Sequence, residues 1–147
     1  MKNYMEVKFK ALSVNEGFAR VCVAGFCLPL NPSLDQLTDI KTAVSEAVTN
    51  CIVHAYPKNK PGDITLSCEI DDDNIVIKVS DQGVGIRDIE KARQPFFTTG
   101  ASDERSGMGF TVMEGFMDNV EICQNEGKGT TVTLTKRIEQ EKQVAGG

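Results

Sequence analysis

The sequence predicts an α+β domain, a mixed and mainly antiparallel sheet with helices packed on one face. Three observations predict it. Apolar and polar residues alternate in five short runs, the signature of half-buried strands. Two longer segments instead repeat apolar residues every three or four positions behind a serine. The order is strand, two helices, hairpin, long loop, helix, hairpin, so consecutive strands fold back on one another and the helices share a face.

Met5, Val7 and Phe9 alternate with Glu6, Lys8 and Lys10 and give the first strand. Ser13-Val14-Asn15-Glu16 has the spacing of a capping box and opens an apolar-rich helix to about Leu28, which Pro29 and Pro32 end. Ser33-Leu34-Asp35-Gln36 repeats that spacing. Behind it Leu37, Ile40, Val44, Ala47 and Cys51 mark the buried face of a second helix. Glu46, Asn50 and His54 fall on a neighbouring stripe at steps of four, free to look into a pocket.

Ile64, Leu66, Cys68 and Ile70, then Ile75, Ile77 and Val79, flank the turn Asp71-Asp72-Asp73-Asn74 and predict a hairpin. From Gln82 to about Met108 the periodicity dissolves into a Gly-rich stretch of mixed charge. A loop this long in a small domain reads as a functional lid. Gly109 to Met117 returns to helical spacing, and Val120–Cys123 with Thr131–Thr135 close a last hairpin around Gly127-Lys128-Gly129. Residues 1–137 read as a single domain and 138–147 as a frayed polar tail.

Bulk properties narrow the function. The 147 residues suffice for one core, and a net charge of −5 argues against nucleic acid or an anionic membrane as main partner. No apolar run approaches the ~20 residues that span a bilayer, and the first residues lack a signal-peptide core, so cytoplasm is expected. Five cysteines without a Cys-x-x-Cys pair suggest neither a disulfide framework nor a zinc site, but small core residues in a reducing compartment.

Four motifs carry chemistry. Glu46 and Asn50, one helical turn apart, point a carboxylate and an amide at the same place. Glu46 could accept a proton from an attacking hydroxyl, and Asn50 could lend an oxygen to magnesium that also holds phosphate. Alone, the pair reads more readily as a solvated helix flank. Asp81-Gln82-Gly83-Val84-Gly85 ends a buried strand. Its carboxylate suits an exocyclic amine such as adenine's, and Gly83 and Gly85 allow close approach to a flat base. An ordinary strand-ending turn explains it about as well.

Ser106-Gly107-Met108-Gly109 precedes the third helix, where exposed N–H groups favour phosphate, and Arg105 beside it is a candidate clamp for the terminal phosphate. A flexible loop end is the plainer reading. Thr98 and Thr99 add candidate lid contacts, with Phe96 and Phe97 as lid packing. Gly127-Lys128-Gly129-Thr130 by itself is a hairpin turn. Histidine occurs once, at His54, and reads as a satisfied helix-end residue. No Gly-x-x-x-x-Gly-Lys-Ser/Thr loop and no protein-kinase signature set is present.

In this order the motifs resemble the GHKL, or Bergerat-fold, ATP-binding superfamily, a two-layer α/β sandwich, from about Leu34 to Thr135. Within it, Glu46-Ala47-Val48-Thr49-Asn50, His54-Ala55-Tyr56, Asp81 to Ile86, Phe97-Thr98-Thr99 and Glu104 to Phe110 are similar to the stand-alone anti-sigma-factor serine kinases of endospore-forming bacteria. The resemblance implies ATP or ADP with Mg2+ as cofactors. Glu46 would be general base, Asn50 metal ligand and Asp81 adenine reader with Thr130 nearby. Gly83, Gly85, Gly107 and Gly109 would shape pocket and lid, and Arg105 would face the terminal phosphate. Relatives often carry a lysine directly after the threonine pair. Gly100 stands there in this chain, leaving more of that charge to Arg105.

The resemblance also implies partners: a sporulation sigma factor of the sigma F type, an anti-anti-sigma protein phosphorylated on serine, and a second copy in a homodimer. Glu16 and Arg20, outside all four motifs, are the candidate partner face. Two other readings stand beside the kinase: a nucleotide-gated binding module without useful turnover, and a histidine-kinase catalytic domain. Against the latter, no helical hairpin precedes the motifs and His54 lies inside one of them.

Overall fold

Alternation in the sequence becomes a five-stranded sheet. The computed structural model describes residues 1–83, 104–125 and 128–139, with backbone alone for 104–109. Strand β1 (Lys2–Lys10) pairs with β2 (Asp63–Asp71), and β2 with β3 (Asn74–Asp81). Strand β5 (Thr130–Arg137) inserts between β3 and β4 (Asn119–Gln124), giving the order β1-β2-β3-β5-β4. All four pairings are antiparallel, so the parallel component of a mixed sheet is absent among the described residues. The register sets Met5, Val7 and Phe9 opposite Cys68, Leu66 and Ile64, and Ile77 and Val79 opposite Leu134 and Val132. Every apolar alternate therefore lands on one face.

Helices cover that face. α1 (Val14–Cys27), α2 (Leu34–Asn50) and α3 (Glu104–Phe116) lie side by side, with α2 in the middle touching both neighbours. Ile40, Val44 and Val48 of α2 are fully buried with Val23 of α1, Met113 of α3 and Leu66, Ile77 and Leu134 of the sheet. Burying each such side chain contributes roughly 1.5–3 kcal/mol.

The helix starts differ from their predicted form at two places. At α2 the capping box is complete: Gln36 N–H donates to Ser33 Oγ at 3.1 Å, and Ser33 N–H donates to Gln36 Oε1 at 3.0 Å. At α1 it does not form. Ser13 already has helical angles and makes no side-chain cap, while Glu16 is drawn off by Arg20 (3.0 Å) and by the Ser45 hydroxyl of α2. The third helix begins at Glu104 rather than Gly109, so Arg105, Ser106, Gly107, Met108 and Gly109 lie within its first turns instead of ahead of them. Two glycines weaken a helix by only ~1 kcal/mol each, too little to outweigh the packing of α3 on α2.

α1 ends in a short 3-10 turn (Leu28–Leu30) around Pro29, and Asn31 takes the left-handed conformation (φ 54°) that redirects the chain into α2. α2 runs on into a π turn, Cys51–Ala55. Cys27, Cys51 and Cys68 are buried and Cys22 half-buried, whereas Cys123 is exposed on an edge strand and is no core residue. Among the described residues no helix is long and apolar enough to cross a membrane.

Candidate functional site

The site grows from the end of β3. The register places Ser80 opposite Thr131, which brings Asp81 beside Thr130 at one end of the core face. Asp81 is 5% exposed, unusual for a carboxylate, and the burial is compensated by hydrogen bonds. Its Oδ1 accepts from the backbone N–H of Gly83 (2.9 Å) and of Thr130 (3.2 Å), and its Oδ2 from the Cys51 thiol (3.4 Å). Cys51 is the first residue of the π turn, so this contact ties the sheet to the end of α2. Burial, then the charge of Asp81, then its hydrogen bond push the Cys51 thiol well above its ordinary 9.0, which keeps it a donor.

Glycine is dictated at two positions. A Cβ on Gly83 would overlap the Ala55 carbonyl oxygen. Gly129 has φ +97°, and a Cβ there would overlap the Asp81 carbonyl oxygen. The turn before β5 thus presses its backbone against the residue whose carboxylate it satisfies.

Asn125 and Tyr56 complete the frame. Asn125 donates from Nδ2 to the Asp81 carbonyl (2.9 Å) and accepts from the Thr131 hydroxyl (2.6 Å). Tyr56 donates its hydroxyl to the Asp63 carbonyl (2.7 Å) and accepts from Gln82 N–H (2.7 Å), fixing where the chain leaves β3. Sequence reasoning missed Cys51, Tyr56 and Asn125 as site residues. Tyr56 stood in a quoted motif, but its partner is 26 residues away, and periodicity carries no signal for that.

The sequence-predicted residues divide into groups. Asp81, Gly83 and Thr130 meet, with Cys51 bringing the end of α2 to them. Glu46 and Asn50 sit one turn apart on a half-buried flank of α2, beside the fully buried Ala43 and Ala47. Nδ2 of Asn50 is buried and has no hydrogen-bond partner among the described residues. Glu16 and Arg20 are paired on α1, and Glu16 also accepts from the Ser45 hydroxyl of α2. Gly85, Thr98, Thr99 and Gly100 lie outside the described residues, as does Gly127, and for Arg105 to Gly109 only the helical backbone is described.

The donor set fits magnesium better than zinc. Among the described residues no group of three or more His, Cys, Asp and Glu could cage a metal. The unmatched atom of Asn50 is its amide nitrogen, a donor that suits an acceptor such as a phosphate oxygen or a metal-bound water, and the carbonyl oxygen of the same amide would be the single neutral ligand. That suits a hard cation held mostly by water and phosphate oxygens.

A family model described as histidine kinase-like ATPase domain matches residues 19–136. Anti-sigma F factors of Bacillus subtilis and Bacillus velezensis are each 52% identical over 97% of both chains. The chain belongs to this family. A third member, the anti-sigma F factor of Caldanaerobacter subterraneus, is 57% identical over 92% of this chain and 94% of its own. The crystal structure of the RsbU and RsbW domains of Rv1364c from Mycobacterium tuberculosis covers 96% of this chain and 34% of that one. Its TM-score is 0.70 at 20% identity, so the likeness is of fold. The expected Bergerat-type α+β sandwich is thereby borne out.

Proposed function

We propose that the protein is an anti-sigma factor that binds a sporulation sigma factor of the F type and, as an ATP-dependent serine kinase, phosphorylates that factor's anti-anti-sigma antagonist. The observation that carries the nucleotide half of this reading is the Asp81 carboxylate, buried yet left with acceptor capacity on Oδ2 at the mouth of a glycine turn. Relatives named anti-sigma F factor over nearly the whole chain support the other half.

In this reading Asp81 accepts the 6-amino group of adenine, and Thr130 lines the same wall. The acceptor serine attacks the terminal phosphorus in line. Its Oγ–P bond forms as the bond to the ADP oxygen breaks, and Glu46 takes the hydroxyl proton. Asn50 would hold a magnesium ion, which when bound neutralises phosphate charge. Arg105 would face the terminal phosphate, and Gly85, Thr98, Thr99, Ser106, Gly107, Met108 and Gly109 would contact the nucleotide.

The test uses purified protein, Mg-ATP labelled on its terminal phosphate, and an anti-anti-sigma protein from the same genome. Acid-stable label on a partner serine, lost in Glu46→Gln while ATP still binds, is the expected result. Tight ATP binding with no transfer would replace the kinase by a nucleotide-gated binding module. Acid-labile label would point to phosphohistidine.

Two surfaces support the partner assignments. Arg20, Thr38, Lys41, Thr42 and Ser45 line a cleft of about 240 Å³ between α1 and α2, with Glu16 paired to Arg20 at its edge. This polar cleft is the proposed face for sigma factor and antagonist, and an Arg20→Glu variant that bound both normally would overturn it.

The other surface is α1's outer side. Val14, Phe18, Val21, Gly25 and Leu28 recur at steps of four and three, exposed, directly opposite the buried Ala19, Val23 and Cys27. An apolar stripe on the solvent side of a helix, opposite its buried face, marks a surface suited to a partner. Phe18 stacks edge-on with Phe9 of β1 (6.1 Å), so this stripe continues onto a sheet edge that is unpaired among the described residues. A second copy related by a two-fold axis would cover both at once.

A further inference from the structure

We propose that Cys51 is a positioning residue for base recognition: its thiol holds the Asp81 carboxylate so that one acceptor site remains for one exocyclic amine. The proposal rests on the nucleotide reading above and deepens it. An ionised carboxylate offers about four acceptor sites. In Asp81, Gly83 N–H and Thr130 N–H occupy Oδ1, and the Cys51 thiol occupies one side of Oδ2 at 3.4 Å. Among the described residues nothing else donates to Oδ2. The backbone donors pin one oxygen in place. Without the thiol the other can turn about that pin or take up a water, and each competes with a base amine.

Position supports this over simple filling of space. Cys51 continues the buried face of α2 with helical angles (φ −62°), just where the π turn begins, and its Sγ meets the one buried carboxylate among the described residues. Asn50, the preceding residue, carries a buried amide nitrogen without a partner among the described residues, so this end of α2 holds a polar group that the described core leaves unmatched. A filler would need only volume at this position. A positioning thiol must donate.

The experiment compares affinities for ATP and ITP, which differ at base position 6 (an amine in one, a carbonyl in the other). Full-length wild type, Cys51→Ala, Cys51→Val and Cys51→Ser are measured by equilibrium binding, after thermal melts without nucleotide confirm that each is folded. Ala and Val both lack a donor and bracket the thiol's volume, so either one suffices if the other does not fold. Losing one hydrogen bond should weaken ATP binding roughly threefold to tenfold. ITP, which cannot donate there, should be unaffected, so the ATP-to-ITP ratio falls by that factor. Cys51→Ser, which keeps a donor, should restore the ratio to within about twofold of wild type. Equal losses for both nucleotides, or an unchanged ratio in the donor-less variants, would overturn the positioning role and leave the nucleotide site standing. Wild type that binds neither nucleotide would overturn the site itself, and this proposal with it.

Discussion

Asp81 shows how closely a buried charge must be supported. Three donors from three separate elements meet one carboxylate, and two of them come from backbone that only glycine-bearing turns can bring so near. Gly129→Ala is therefore expected to do double damage. It strains a φ of +97° and pushes the turn off the Asp81 carbonyl. A loss of ~1–3 kcal/mol in urea unfolding, with weakened ATP binding, is the predicted outcome. A variant with wild-type stability would show that the turn relaxes freely. Asp81→Asn keeps the shape but replaces an acceptor oxygen by a donor amide. It should reduce ATP affinity at least tenfold in calorimetry while leaving the secondary structure intact.

The elements were legible to the degree that their signals are local. β1, the β2–β3 hairpin and the β4–β5 hairpin follow from alternation, and the box at Ser33 follows from spacing. The same spacing misled at Ser13, because Glu16 has better partners in Arg20 and in Ser45 of another helix, 29 residues away. The start of α3 was misplaced because Gly107 and Gly109 look like loop residues, although the helix that contains them packs on α2. At the site, Asp81 and Gly83 were visible from their place at a strand end. Cys51 and Asn125 were not, because their bonds to Asp81 span 30 and 44 residues. Two predictions belong at this scale. Ser33→Ala removes a formed cap and should cost about 1 kcal/mol, whereas Ser13→Ala should cost a few tenths at most, a contrast readable in thermal melts. Val21→Glu places a charge in the centre of the exposed α1 stripe, where Val21 is 70% exposed. It should leave the far-UV circular dichroism unchanged and convert the proposed dimer to monomer in sedimentation. A dimer that persists would move the self-association surface elsewhere.

At the scale of the whole molecule, solvent access sorts the thiols. Burial pushes Cys27 up to about 12, and burial with the neighbouring Cys27 and Cys22 does the same to Cys68. With Cys51 also enclosed, a thiol reagent near pH 8 should modify Cys123 quickly and these three only on global opening. Mass spectrometry over a time course reads this directly, and rapid modification of Cys68 would mean that the sheet and helices separate far more often than this core implies. Ligand linkage acts on the same opening, and ATP at 100 times its Kd should slow the three buried thiols by about 2.7 kcal/mol, roughly a hundredfold.

Strand order also governs when the pocket can exist during synthesis. The ribosome delivers β3 well before β5, yet β5 lies between β3 and β4 and supplies the Thr130 amide to Asp81. Until that strand emerges, Asp81 sits on a bare edge without Thr130 and without the Gly129 turn behind it. A nascent chain halted before β5 is then blind to nucleotide, whatever its length upstream. Capture on an ATP resin of stalled chains of increasing length should switch on in one step, once β5 has cleared the exit tunnel.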